Sequence, residues 1–243
     1  MNKGIIVIGS AGSGKTTFLE ELYKNNNEFE YVKWINPDFY VEDKGHEFYN
    51  NPLAASRYIK KEIFPLILSD ERDFIFDTTG ANLKTIKKLI DDNPSYEFKI
   101  VMIYCHPATV FNRNILRKRT LPRTILLENW HKVYSQVTEY EKLIKSGDMY
   151  IWDGYSNIEE LELNNSSLYH ISNIIKTINN KYDTTSSFKK KSTTYTEEEI
   201  NKKEEQFIRV LDKIDEDYNK IYSSIKELEK SKEEIHDLLI KWI

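Results

Sequence analysis

Eight residues, Gly9-Ser10-Ala11-Gly12-Ser13-Gly14-Lys15-Thr16, constrain this chain more than any others. They fit G-x-x-x-x-G-K-[ST] at every position, and the context fits as well as the string. Before them, Ile5 to Ile8 form a β-branched apolar run that reads as a buried strand. After them, helical text runs from about Lys15 to Lys24. Glycines in such a turn let backbone N–H groups face an anion, and the helix N-terminus adds its dipole. Residues Gly9 through Thr17 therefore predict a nucleoside triphosphate site, with ATP as the expected ligand. Lys15 is placed to reach the β- and γ-phosphates, and Thr16 to offer its hydroxyl to Mg²⁺.

Further strands are expected at Tyr31–Ile35, Asp73–Asp77, Lys99–Cys105 and Met149–Trp152. Helical text lies between them. One stretch starts at Pro52 and reaches about Ser69, with Pro65 expected to kink it or end it early. Another covers Asn82 to Ile90, and a third runs to Lys145 with a break at Thr120-Leu121-Pro122. Strands alternating with helices predict an α/β fold with a doubly wound parallel sheet, which binds ligands at the carboxyl ends of its strands.

The other chemical candidates sit at such ends. Asn36-Pro37-Asp38 follows the second strand. Asp38 either accepts a proton from an acceptor hydroxyl opposite the γ-phosphate or caps a turn. Phe74-Ile75-Phe76-Asp77 has the form of a strand ending in a metal-orienting carboxylate, so Asp77 joins Thr16 as a metal candidate. Thr78, Thr79 and Gly80 then make a polar turn suited to a substrate, with Asp77, Thr79 and, further along the chain, Arg123 as expected substrate contacts. Arg113, Arg117, Lys118, Arg119 and Arg123 fall close together, and Arg113 and Arg117 share a helix face. A helix broken at Leu121-Pro122 suits a closing lid whose arginines neutralise a transferred phosphoryl group. The bland alternative is a solvated basic face or a contact to a nucleic-acid backbone. Cys105-His106-Pro107 reads as a strand end and turn, and the histidines show no metal-ligand spacing.

The text changes after Lys181. Residues 182–195 are rich in Ser, Thr and Lys and read as a flexible linker. From Thr196 a capping box opens a stretch with apolar residues at Ile200, Phe207, Leu211, Ile214, Tyr218, Ile221, Ile225, Leu228, Ile235, Leu239 and Trp242. Their spacing alternates three and four through most of the series, with Glu204 and Lys232 in two core slots, so 196–243 predicts a coiled-coil helix and a homo-oligomer formed through it. The alternative is one amphipathic helix folded back onto the first domain. Most of the net charge of −4 belongs to this tail, which leaves residues 1–181 near neutral with a local basic cluster. That balance speaks against nucleic-acid binding through bulk charge, but leaves one phosphate-gripping site open. The single cysteine, Cys105, and the lack of a long apolar run predict an intracellular protein without a membrane span, in a reducing, cytoplasmic setting.

The order of these motifs resembles a known group. A phosphate loop, Asn-Pro-Asp, strand-Asp-Thr-Thr, Phe111-Asn112-Arg113-Asn114-Ile115-Leu116-Arg117, Leu121-Pro122 and the helix from Trp130 to Tyr140 are similar to the bacteriophage 5′-hydroxyl polynucleotide kinases. They are similar also to zeta-toxin-like kinases, and to phage kinases of 5-hydroxymethyluracil in DNA. The likeness covers about residues 3 to 153. It implies a P-loop kinase domain with Lys15 as phosphate clamp, Asp38 as general base, and Arg117 with Arg113 as lid arginines. It implies ATP and Mg²⁺ as cofactors and a hydroxyl on DNA or RNA as acceptor. A zeta-type nucleotide-sugar acceptor is the alternative. A nucleotide-regulated coiled-coil scaffold, from another class, has no use for Asp38 and the arginines. One position departs from the polynucleotide kinases: Val41 stands where they carry a substrate-gripping arginine, which points away from ordinary 5′-end recognition.

Overall fold

The computed structural model describes residues 1–116, 120–155, 171–181 and 196–243. Five parallel strands form one sheet: β1 (Asn2–Ile8), β2 (Lys33–Ile35), β3 (Phe74–Thr78), β4 (Tyr96–Cys105) and β5 (Met149–Tyr155). Their order across the sheet is β2-β3-β1-β4-β5. The central strands read as continuous apolar runs because helices cover both faces, as the burial of Ile5, Ile6, Val7 and Ile8 shows. The early chain builds the sheet to one side of β1 and the later chain to the other. The loop after β1 therefore stands at the switch point, where parallel sheets take their ligands.

Helix α1 (Lys15–Asn25) follows β1, and α2 (Pro37–Glu42) follows β2. Next come α3 (Pro52–Tyr58) and α4 (Phe64–Ser69), joined by a π-helical turn at Ile59–Ile63. The sequence predicted that Pro65 would kink or end this helix. The regular α-helix is interrupted just before it by the widened turn, and the helical path runs on to Ser69; proline has no N–H to donate and crowds the carbonyl four residues back. Helix α5 (Leu83–Asp91) follows β3, and α6 (Pro107–Leu116), α7 (Arg123–Tyr134) and α8 (Val137–Glu141) follow β4. The expected break at Thr120-Leu121-Pro122 separates α6 from α7. A short helix, α9 (Ile171–Lys181), precedes the tail.

The tail corrects the coiled-coil expectation. It forms α10 (Glu197–Glu227) and α11 (Lys232–Trp242), each opened by a capping box, at Thr196/Glu199 and Ser231/Glu234. The heptad residues Phe207, Leu211, Ile214, Ile221 and Ile225 of α10 are buried in the same core as β4, α7 and α9. Ile235 and Leu239 of α11 are buried on the opposite face of the sheet, with Ile5, Phe18 and Leu22. Between the helices the chain pairs with edge strand β5: Ile151 donates to the Leu228 carbonyl (3.1 Å) and Lys230 to the Ile151 carbonyl (2.8 Å). A three–four apolar stripe suits any apolar partner, and here the partner is the protein's own core. The stripe that would have formed an oligomer is spent within one chain, and only Ile200 at its start is exposed. The 182–195 linker expectation lies outside the described residues. Among the described residues no helix is long and apolar enough to cross a membrane.

Candidate active site

Register brings the motifs together. Ile8 pairs with Thr78, so the chain leaving β1 lies beside the chain leaving β3, and Gly9 donates to the Thr79 carbonyl (3.4 Å). Ile35 pairs with Phe76, which puts Asn36 next to Asp77. The strand ends surround a cavity of about 650 Å³ lined by the phosphate loop, Asp38, Asp77, Thr79 and Arg113, among others.

The loop has the geometry its sequence predicted. Gly14 caps α1 at φ 98°, a left-handed conformation in which a side chain would be strained. No side chain caps α1 and no acidic residue sits in its first turn, so its N–H groups and dipole are open to an anion. Gly80 packs the facing turn: a Cβ there would lie 2.8 Å from that of Ile8. Lys15 Nζ rests on the carbonyls of Gly9 (2.9 Å) and Ser10 (3.2 Å). Thr16 and Thr17 are exposed at the start of α1, and both line the cavity.

Asp38 is exposed at the second position of α2 and lines the cavity. The sequence left it between base and cap; the cap is Asn36, whose Oδ1 accepts from the Asp38 N–H (2.8 Å) while Pro37 opens the helix. The Asp38 carboxylate therefore has no capping duty. Asn36 was not singled out as a functional residue from sequence, although an Asn before a Pro is an N-cap signal. It is buried, and its Nδ2 donates to Asp77 Oδ2 (2.8 Å), tying the second and third strand ends together.

Asp77 is only 3% exposed. Burial pushes its carboxyl up to about 6, Lys15 nearby opposes the rise, and Asp38 adds to it. A desolvated carboxylate beside a lysine is suited to taking up a cation. Mg²⁺ takes one or two protein ligands and completes its shell with phosphate oxygens and water. Thr16 and Asp77 line the same cavity and fit that requirement.

Of the lid candidates, Arg113 reaches the site, with Nη1 donating to the Gly12 carbonyl (3.1 Å). Asn114, also missed from sequence, is buried and exchanges two hydrogen bonds with the Leu121 backbone (3.0 and 2.9 Å), tying Leu121 to α6. Arg117 lies outside the described residues. The structure does not bring Arg123 to the cavity. It pairs with Glu204 of α10 and lies over the Phe207 ring, 4.1 Å from its centroid. Its guanidinium anchors the tail, and the substrate-binding expectation is corrected to that extent. His106 is buried and held neutral, its pKa lowered to about 4 by burial, as suits a turn residue whose Nδ1 accepts the Ala108 N–H (3.2 Å). Among the described residues no cluster of three or more His, Cys, Asp or Glu is placed to hold a metal.

No curated protein matches the chain. A structure of the PezAT chromosomal toxin–antitoxin system of Streptococcus pneumoniae aligns at 14% identity over 87% of this chain and 88% of that one, with a TM-score of 0.45. Shikimate kinase from Bacteroides thetaiotaomicron aligns at 17% identity over 74% and 98%, with a TM-score of 0.41. A sugar kinase from Janibacter sp. aligns at 13% over 75% and 95%, with a TM-score of 0.44. The family model of the zeta toxins matches residues 2–148, more than half of the chain and all of the motif-bearing part. With its phosphate loop, parallel sheet and strand-end carboxylates, this P-loop kinase chain belongs to the zeta toxin family.

Proposed function

We propose that the protein is an ATP- and Mg²⁺-dependent kinase that transfers the γ-phosphate to a hydroxyl. The observation that carries this is the convergence of the loop, Asp38, Asp77 and Arg113 on one cavity. In the proposed reaction the Asp38 carboxylate takes the proton of the acceptor hydroxyl. Its oxygen attacks the γ-phosphorus as the bond to the β,γ-bridging oxygen breaks, and ADP leaves. Lys15, the loop amides and Arg113, with Arg117 from the lid, hold the charge that gathers on the moving phosphoryl group. When bound beside Thr16 and Asp77, the metal ion contributes charge neutralisation at the phosphates.

The lid pattern suggests a hydroxyl on DNA or RNA, either at a 5′ end or on a hydroxymethylated base. A second reading, a nucleotide-sugar acceptor, is favoured by the family match.

The test supplies γ-labelled ATP with 5′-hydroxyl oligonucleotides, hydroxymethylated DNA, nucleosides and a UDP-linked amino sugar. The acceptor that takes label decides between the readings. Failure to label any acceptor, or an Asp38→Asn variant as fast as the parent, overturns the mechanism.

A further inference from the structure

The phosphate loop is held from below by a residue its motif does not contain. Tyr134, in the last turn of α7, is 1% exposed. Its hydroxyl accepts the Ser10 N–H (3.1 Å) and donates to the Ile103 carbonyl of β4 (2.7 Å), and the Ser10 Oγ lies 3.3 Å away. Ser10 in turn accepts from the Ser13 N–H (3.1 Å) and from Lys15 Nζ (3.2 Å) through its carbonyl. One buried hydroxyl thus fixes the residue against which the loop turns and on which Lys15 rests. Burial pushes the Tyr134 hydroxyl pKa far upward, so it stays a neutral donor and acceptor.

Two neighbours repeat the device. Trp130 Nε1 donates to the Cys105 carbonyl at the end of β4 (2.8 Å), and the Tyr140 hydroxyl donates to the Gly80 carbonyl after β3. Helix α7 is itself fixed from outside by α10: His131 Nε2 meets Asp217 (2.6 Å), Arg123 meets Glu204, and Trp130 stacks on Tyr218. The tail, α7 and the loop therefore form a continuous chain of contacts.

We infer that Tyr134 is a positioning residue for the nucleotide, setting the loop through Ser10. The inference rests on the loop binding nucleotide. Removing the hydroxyl leaves the Ser10 N–H and the Ile103 carbonyl buried without partners, and the loop must distort to satisfy them. Tyr134→Phe keeps the ring and its packing. The expected result is nucleotide binding weakened about tenfold, with the KM for ATP rising by a similar factor and the KM for the acceptor unchanged; about tenfold is the loss of one net hydrogen bond. Packing damage alone would lower the melting temperature or the active fraction and leave the KM of the folded enzyme where it was.

The test titrates a fluorescent ATP analogue into the parent and Tyr134→Phe, with thermal melts of both. A parent that binds and a variant that binds equally well overturn this inference alone. A parent that binds no nucleotide overturns the phosphate-loop reading and this inference with it. Ser10→Ala, which removes only the 3.3 Å contact, should weaken binding about twofold by losing a fraction of that bond energy. If Tyr134→Phe does not fold, unchanged affinity in Ser10→Ala overturns the inference.

Discussion

The strand-end cleft and the C-terminal wrap use the same sheet in opposite ways. The cleft keeps polar groups where water and ligand reach them, and one of its acids, Asp77, is held in a charge state that burial disfavours. The wrap buries apolar side chains on both faces of the sheet and places its polar pairings at the margins, with Asp217 and Glu204 partly exposed. The cleft stores potential for chemistry at a cost in stability, and the wrap supplies the stability.

Removing residues 196–243 is the most severe way to break this comparison. It exposes the core faces covered by Phe207, Leu211, Ile214, Ile221, Ile225, Ile235 and Leu239. At about 2 kcal/mol for each such side chain, the loss matches the whole stability of an ordinary domain. The truncated chain should fail to give a cooperative unfolding transition; a folded, active core would show that the wrap is dispensable. Within the full chain, Leu211→Ala should cost about 2–5 kcal/mol in urea denaturation.

Cleft substitutions should separate activity from stability. Lys15→Ala should lower the transfer rate about 10³-fold, and Asp38→Asn about 10²–10⁴-fold, both measured with labelled ATP. Both side chains are at least partly exposed, so stability should move by no more than about 0.5 kcal/mol. A large drop in melting temperature for either would blur the distinction drawn here.

Asp77→Asn should abolish metal-dependent transfer and stabilise the ligand-free protein. The raised carboxyl favours the fold when protonated. That contribution is present below about pH 4 and lost as pH rises through about 6. At pH 8 the variant should gain up to ~3 kcal/mol, and the gain should vanish near pH 4. A denaturation series across that range measures it, and an equal gain at both pH values would contradict the burial argument.

Smaller effects test the margins of the wrap. His106 is held neutral against Tyr218 of α10, so its contribution is present above about pH 6.5 and lost as pH falls toward 4. Near pH 5 the parent should lose about 2 kcal/mol that His106→Asn retains. Asp217→Asn, at a partly exposed contact with His131, should cost no more than about 1 kcal/mol in urea denaturation.

The phosphate loop, the parallel sheet and the strand-end acids were legible because each is a local demand. Gly14 needs its left-handed φ whatever surrounds it, and Asp77 ends an apolar run wherever that run lies. Asn36 and Tyr134 were harder to see, since their bonds to Asp77, Ser10 and Ile103 span 41, 124 and 31 residues. Arg123 was misread for the same reason: an arginine near a lid looks the same in sequence whether it faces a phosphate or Glu204.

By itself the sequence determined the nucleotide-binding loop, the strand–helix alternation and the helical character of the tail, all set by neighbouring residues. Only the tertiary structure decided what the tail covers. An apolar stripe at three–four spacing fits a second helix or a sheet face equally well, because hydrophobic burial is not directional. The edge pairing of Leu228 and Lys230 with Ile151 and the open faces of the sheet made the chain its own partner.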